Sequence, residues 1–156
     1  MDFATYKSLI GTIRIESTNT GISKLIFSEE TKSPVSQNSV INNCIAQLAS
    51  YFEGTLHAFD VPLDLAGTAF QQTVWRELQN IPFGKTISYL DLSKKLGDPK
   101  KIRAAANANG KNPVSIIVPC HRVIGSDGSL TGYAGGLWRK QWLLEHEQNI
   151  TTPKLF

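Results

Sequence analysis

Cys120 and His121 stand together in the run Pro119-Cys120-His121-Arg122-Val123, and a thiol beside an imidazole supplies the parts of a nucleophilic centre. A thiol attacks as its thiolate, a form promoted by an adjacent imidazole, by a positive charge such as Arg122, or by a helix N-terminus. Adjacency does not supply the geometry. Neighbouring side chains point to opposite faces of a strand and do not meet on a helix. Only an irregular turn, which Pro119 and the nearby Gly125 favour, lets His121 serve Cys120; otherwise the pair reads as a buried cysteine beside an incidental histidine. His57 and His146 are the other candidate bases, both with an ordinary surface reading, and His146 also suits the last turn of a helix. Glu147 could orient His121 in a Cys-His-carboxylate relay, although its spacing alone fits an exposed helix-terminal residue.

The elements that must position these groups read as consecutive helices. Thr68 with Gln71 has the form of a capping box, Phe70, Val74 and Leu78 follow on one face, and Ile81-Pro82-Phe83-Gly84 stops the helix. Ser88 with Asp91 opens a second helix through Tyr89, Leu92 and Leu96 to Gly97. Asp98 and Pro99 then read as N-cap and first residue of a third, which runs to Asn109 with Gly110 as its C-cap. Two short helices joined by a tight turn form a candidate helix-turn-helix, which is also an ordinary packing unit. The third helix sets Arg103 beside a run of alanines. Alanine favours helix in any context, but small side chains would also let the helix approach a nucleic-acid groove while one arginine projects. Without an array of Asn, Gln and Arg to read base edges, such binding would be largely independent of sequence. The last helix follows Tyr133-Ala134-Gly135-Gly136 and runs from Leu137 to Glu147, with Trp138 and Trp142 read as a core stripe.

Charge supports an anionic partner. Residues 1–67 carry four basic and seven acidic side chains, residues 68–156 carry twelve and six, and between Lys85 and Lys111 seven basic residues face only two acidic ones. A solvated lysine-rich face gives the same composition. In the first third, apolar residues alternate over Gly11–Ser17 and Gly21–Phe27 around the turn residues Asn19-Thr20-Gly21, which predicts a hairpin. Residues 28–39 are polar, contain Pro34 and read as a loop. Ile41, Cys44, Ile45, Leu48 and Phe52 then recur at helical spacing, which makes Cys44 a core residue. Two cysteines in 156 residues build neither a disulfide framework nor a thiolate zinc cluster, and no window approaches the roughly 18 apolar residues of a membrane helix.

Several further pieces fall into order with these: Trp75, Arg103-Ala104, Asn109-Gly110, Asn112-Pro113, Pro119–Val123, Gly132–Gly136, Trp142-Leu143-Leu144 and His146-Glu147. Together with Phe70, Val74, Leu78, Ile81–Gly84 and Ser88-Tyr89, they resemble the O6-alkylguanine-DNA alkyltransferase family, the methylated-DNA-protein-cysteine methyltransferases. The resemblance is dense over residues 68–147 and extends to the N-terminal half only in general layout. It implies an α+β protein with a small antiparallel sheet and a helix in residues 1–66. A mostly helical, winged-helix-like domain with the helix-turn-helix, in residues 67–156, would bind DNA and transfer the alkyl group.

The resemblance also implies roles. Cys120 takes the alkyl group from O6 of guanine, His121 acts as its base through a bridging water, Glu147 orients His121, and Asn112 holds the active-site turn. Tyr89 donates a proton to the leaving guanine and helps rotate the nucleotide out. Arg103, beside Ala104, fills the vacated place, and Ser126 and Tyr133 line the base pocket. The chemistry is coherent: displacement at saturated carbon needs a soft thiolate and no oxyanion hole, and an O6 substituent is reached only by extruding the base. A thioether has no route back to thiol, so each molecule acts once. The expected partner is double-stranded DNA containing O6-alkylguanine, bound by a monomer in the cytoplasm, or the nucleus of a eukaryote, with no membrane and no cofactor. Many relatives have Val-Gly where this chain has Ala105-Ala106. Some have zinc in the N-terminal domain, where Cys44 is this chain's only cysteine, so no metal is expected. A Cys-His-Glu hydrolase would use the same triad but would not need the basic helices, and a non-catalytic lesion-binding relative would lack the nucleophile.

Overall fold

The structure, a computed structural model, describes residues 2–32 and 36–148; Pro34, part of the expected loop, lies outside them. The chain divides into two compact units, one of residues 1–66 with Pro113–Ser115, the other of residues 67–112 with 116–156. The expected second domain, 67–156, therefore lacks Pro113–Ser115, which is claimed by the sheet of the first.

In the first unit β1 (Asp2–Ser8), β2 (Gly11–Ser17) and β3 (Ile22–Ser28) form an antiparallel meander. β2 and β3 form the expected hairpin, with Ile13 opposite Phe27 and Ile15 opposite Leu25. β1 was not legible as a strand: its buried residues, Ala4 and Thr5, lie on opposite faces and are too small and too polar to show the alternation. The free edge of β3 is covered twice. Ile22 exchanges backbone bonds with Pro62 and Asp64, and Leu25 with Pro113 and Ser115, all at 2.8–2.9 Å, which removes a template for edge-to-edge pairing. Helix α1 (Ser39–Glu53) starts where the Asn38 side chain accepts from the Val40 and Ile41 N–H groups and ends at Gly54, whose φ is +87°. It buries Ile41, Cys44, Leu48, Tyr51 and Phe52, with Tyr51 taking the core place expected of Ile45.

The second unit is built on α2 (Ala69–Leu78), α3 (Tyr89–Lys95), α4 (Ile102–Gly110) and α5 (Leu137–Gln148), with a two-residue parallel ladder of β4 (Ile87–Ser88) and β5 (Val123–Ile124). Thr68 and Gln71 form the capping box in both directions, and Trp75, fully buried behind them, donates its indole N–H to the Ala108 carbonyl at 2.9 Å. That bond ties α2 to the end of α4. Ser88 caps α3 and Asp98 caps a 3₁₀ turn, Pro99–Lys101, that leads into α4. The helix runs through Gly110 and is capped at Lys111, so Gly110 is not the left-handed C-cap residue expected of it. No helix among the described residues is long and apolar enough to cross a membrane.

Candidate active site

The candidate nucleophile sits where two tight turns meet. The Cys120 N–H donates to the Val118 carbonyl at 2.8 Å, and Pro119 between them has φ −83° and ψ 63°, an inverse γ-turn. Residues Cys120–Arg122 follow as one 3₁₀ turn, closed by the Arg122 N–H on the Pro119 carbonyl at 3.0 Å. This is the irregular backbone that a working Cys-His pair demands. Asn112 anchors it, since its Nδ2 donates to the same Val118 carbonyl at 2.7 Å and its side chain also hydrogen-bonds the Cys120 thiol. Upstream, Ile116 holds φ +71°, a left-handed conformation that β-branched residues rarely enter. Such a residue stores on the order of 1–3 kcal/mol of strain and persists only where burial over-determines it, as it does here.

His121 is 0% exposed, and its Nε2 lies 2.7 Å from Glu147 Oε2. Glu147 is shared with Arg122, whose Nε reaches Oε1 at 2.7 Å and whose Nη2 reaches Oε2 at 3.0 Å; the remaining Nη1 donates to the Ile81 carbonyl at 2.6 Å. Burial alone would push the Glu147 carboxyl up. The hydrogen bonds and charges of His121 and Arg122 outweigh it and hold the carboxyl well below the usual range. An ionised Glu147 accepts from Nε2–H, which leaves Nδ1 as the acceptor of the ring. That Nδ1 is buried without a hydrogen-bond partner among the described residues, and burial, more than any charge, lowers the imidazole below its ordinary 6.5. A neutral ring with an open, buried lone pair is what a general base requires.

Burial pushes the Cys120 thiol above its ordinary value, against the Asn112 hydrogen bond and the charge of Lys140. The resting group is therefore a thiol that needs a base. The cation facing it is not the expected one. Arg122 is neutralised by Glu147, while the charge that acts on the thiol is that of Lys140, fully buried on α5, which donates to the Thr131 and Gly132 carbonyls at 2.9 and 3.3 Å. Burial lowers the Lys140 ammonium to about 8, with Cys120 acting in the opposite sense.

Tyr89, the first residue of α3, donates its hydroxyl to the Thr131 carbonyl at 3.0 Å, and burial raises its pKa. Tyr133 is half-buried in the segment before α5. Arg103 and Ala104 are exposed on the outer face of α4, while Ala105, Ala108 and Asn109 line its inner face. Asn109 Nδ2 reaches the Cys120 carbonyl at 3.4 Å, so one helix touches the backbone of the nucleophile and presents the arginine. Around it Lys94, Lys95, Lys100, Lys101 and Lys111 are exposed. Ser126 is not brought in: it is exposed in the tight turn from Gly125 to Ser129 and joins no hydrogen bond of the Cys120 network. His57 is exposed in the first unit and His146 stacks on Trp142 with ring centroids 4.8 Å apart, so the relay uses His121.

Three contributors escaped the sequence reading. Lys140, Leu143, Leu144 and Glu147 form the buried stripe of α5, while Trp138, expected in the core, is 56% exposed with Arg139 over its ring. The stripe has helical spacing but is half polar, so hydrophobic periodicity points to the wrong face. Arg122, whose charge the sequence sets beside the thiol, is instead paired with Glu147. The Ile81–Gly84 turn does more than end α2, because the Ile81 carbonyl holds Arg122 and Gly84, at φ +81°, lies where a Cβ would come within 3.2 Å of the Glu147 carbonyl. Cys44 is a core residue whose thiol burial pushes up to about 12. Among the described residues no cluster of His, Cys, Asp or Glu could hold a metal ion.

Comparison with known proteins assigns both halves. Residues 1–65 match the family model for the 6-O-methylguanine DNA methyltransferase, ribonuclease-like domain, and residues 69–149 that for the 6-O-methylguanine DNA methyltransferase, DNA binding domain. The chain is 42% identical over 160 residues to the methylated-DNA–protein-cysteine methyltransferase of Mycolicibacterium paratuberculosis, covering 99% of this chain and 97% of that one. It is also 42% identical to the Methanosarcina acetivorans protein of the same name, over 94% and 98%. Among solved structures, the O6-methylguanine methyltransferase of Mycobacterium tuberculosis superposes with a TM-score of 0.85 at 42% identity, over 98% and 95% of the two chains. The M. tuberculosis OGT in complex with DNA superposes at 0.87 and 44% identity, over 94% and 92%.

Proposed function

This chain belongs to the 6-O-methylguanine DNA methyltransferase family, and on that premise we propose how its own residues carry out the reaction. The protein repairs O6-methylguanine in DNA by direct reversal, moving the methyl group onto a cysteine of the protein itself. We assign that cysteine to Cys120. The observation that carries the assignment is the open Nδ1 of His121, buried beside Cys120 with its other nitrogen fixed on an ionised Glu147. His121 takes the thiol proton through one bridging water, Glu147 stabilises the imidazolium that forms, and the Lys140 ammonium faces the thiolate. As the sulfur–carbon bond forms, the carbon–O6 bond breaks and its electron pair passes to the purine. Tyr89 gives that purine its phenolic proton, so guanine leaves neutral, and solvent re-protonates the phenolate while accepting the proton held by His121. The thioether has no acidic proton and cannot return to thiol, which makes the protein a stoichiometric reagent. No cofactor is needed, because the chain supplies the nucleophile and the proton relay.

Access to the base follows from the outer face of α4. The exposed lysines attract the duplex without regard to sequence, small side chains such as Ala104 let the helix enter the minor groove, and Arg103 fills the place of the extruded nucleotide. Extrusion costs a few kcal/mol of unstacking. Asn112 keeps Cys120 presented, and Tyr133 borders the pocket. The second unit binds DNA and transfers the group. The protein works as a monomer in the compartment that holds DNA, the cytoplasm of a cell without a nucleus. The test is stoichiometry. A limiting amount of protein mixed with excess duplex carrying one O6-methylguanine restores one guanine per protein molecule and stops; continued turnover, or hydrolysis of the lesion without protein modification, contradicts the reading.

A further inference from the structure

Apart from the Cys120–His121–Glu147 chain, the buried group most in need of a reason is Lys140. It is 0% exposed, and among the described residues no carboxylate lies within ion-pair distance of it. Its ammonium is held by two backbone carbonyls, Thr131 at 2.9 Å and Gly132 at 3.3 Å. Burying an ammonium against dipoles alone is costly, and an apolar side chain of the same length would fill the space without that cost. The Thr131 carbonyl is shared. Tyr89 Oη donates to it at 3.0 Å, and Lys140 Nζ lies 5.7 Å from the centre of the Tyr89 ring. A carbonyl oxygen has two lone pairs, so Tyr89 and Lys140 together saturate this one.

We propose that Lys140 is a positioning residue acting through Tyr89: it holds the Thr131 carbonyl as the resting place of the Tyr89 hydroxyl and keeps that carbonyl satisfied when the hydroxyl turns to the flipped base. This rests on the reading of Tyr89 as proton donor given above. In the free protein the phenolic proton is committed to Thr131 and is not available to a leaving group. When the base enters, the hydroxyl exchanges the carbonyl for the purine, and without Lys140 that exchange would leave an orphaned acceptor. In the transfer the sulfur–carbon bond forms, the carbon–O6 bond breaks, the phenolic proton moves to the purine, and water returns a proton to the phenolate. While it lasts, the phenolate faces the ammonium that held its former partner. By pinning Thr131 and Gly132, the latter at φ +60°, Lys140 also fixes the backbone that leads into Tyr133.

A double-mutant cycle in single-turnover methyl transfer tests this, comparing wild type, Lys140→Met, Tyr89→Phe and the double variant. Affinity for the lesion duplex is measured separately in the Cys120→Ala background. Lys140→Met is expected to slow transfer about tenfold without weakening binding, and to slow it clearly less once Tyr89 is Phe, where only the charge acting on the thiolate is lost. An equal slowing in both backgrounds overturns the proposal, because Lys140 would then act independently of Tyr89. A second measurement needs no Lys140 variant. In Cys120→Ala protein carrying carbon-13 at the tyrosine Cζ, the Tyr89 resonance, assigned by its loss in Tyr89→Phe, shifts on binding the O6-methylguanine duplex but not undamaged duplex. An unmoved resonance on a bound lesion refutes the exchange. If wild type transfers no methyl group at all, the proposed function fails, and the resonance still decides the exchange.

Discussion

Replacing Glu147 by Gln separates the two tasks of that carboxylate. Gln keeps the volume and one carbonyl oxygen, but carries no charge and places an NH₂ where the second oxygen stood. Both oxygens are in use: Oε1 takes Arg122 Nε at 2.7 Å, and Oε2 takes Arg122 Nη2 at 3.0 Å and His121 Nε2 at 2.7 Å. The amide can accept on one side only, so either the guanidinium or the imidazole meets an N–H group. Arg122, itself buried, is left without a counter-charge, and removing one partner of a buried pair costs about 3–5 kcal/mol. That is a large part of the roughly 5–15 kcal/mol that holds a domain folded. His121 also loses the acceptor that keeps its proton on Nε2, so the wrong tautomer can face Cys120. In a Ser-His-Asp relay the equivalent change lowers the rate about 10⁴-fold; for a thiol, which ionises more readily, we expect about 10²- to 10³-fold. Denaturant unfolding measures the first effect and quenched single-turnover methyl transfer the second. Adding Arg122→Met removes the orphaned charge and is expected to recover much of the stability and none of the rate. A single variant that transfers methyl at close to the wild-type rate refutes the orienting role of Glu147, and a double variant that recovers both refutes the separation.

Other consequences are as specific. Gly84→Ala puts a Cβ at φ +81° and 3.2 Å from the Glu147 carbonyl; unfolding measurements should show a loss of about 1–2 kcal/mol, together with slower transfer as Glu147 is displaced. Arg103→Ala, on an exposed position, should change stability by less than about 0.5 kcal/mol. It should slow repair of duplex DNA much more than repair of the same lesion in a single strand, where no vacated place needs filling. The transfer rate should pass through a maximum and fall as pH rises through about 8, where Lys140 loses the charge that faces the thiolate, and the alkaline fall should vanish in Lys140→Met. Because the folded-state Glu147 lies below its ordinary value of 4.5, its contribution to stability is complete above that pH and is lost as pH falls beneath it. Acid unfolding of Glu147→Gln should lack that component.

Local chemistry was the most legible part of the sequence. The Thr68–Gln71 box, the Ser88 cap and the Asp98-Pro99 helix start are each decided within four residues, and each is present. The β2–β3 hairpin was equally readable, because Ile13, Ile15, Ile22 and Leu25 place large apolar side chains inward. Misreadings gather where buried positions carry polar groups. The inner stripe of α5 alternates Lys140 and Glu147 with two leucines because it faces the reacting groups, so the tryptophans on its other side misled the pattern. The partner of Arg122 could not be read at all, since the contact to Glu147 spans 25 residues and depends on how α5 returns to the Cys120 turn. The Cys-His pair was visible as composition, but the γ-turn that makes it usable depends on Asn112 reaching Val118.

The measurement that bears most directly on the account is peptide mass analysis after mixing the protein with an equimolar duplex containing one O6-methylguanine, with Cys120→Ala as control. The account predicts one added methyl group on the peptide carrying Cys120, none on the peptide carrying the buried Cys44, restored guanine in the DNA, and no reaction in the control. A methyl group found elsewhere, or an unmodified Cys120 on protein that still binds the lesion, would contradict it and remove His121 and Glu147 from the roles assigned to them.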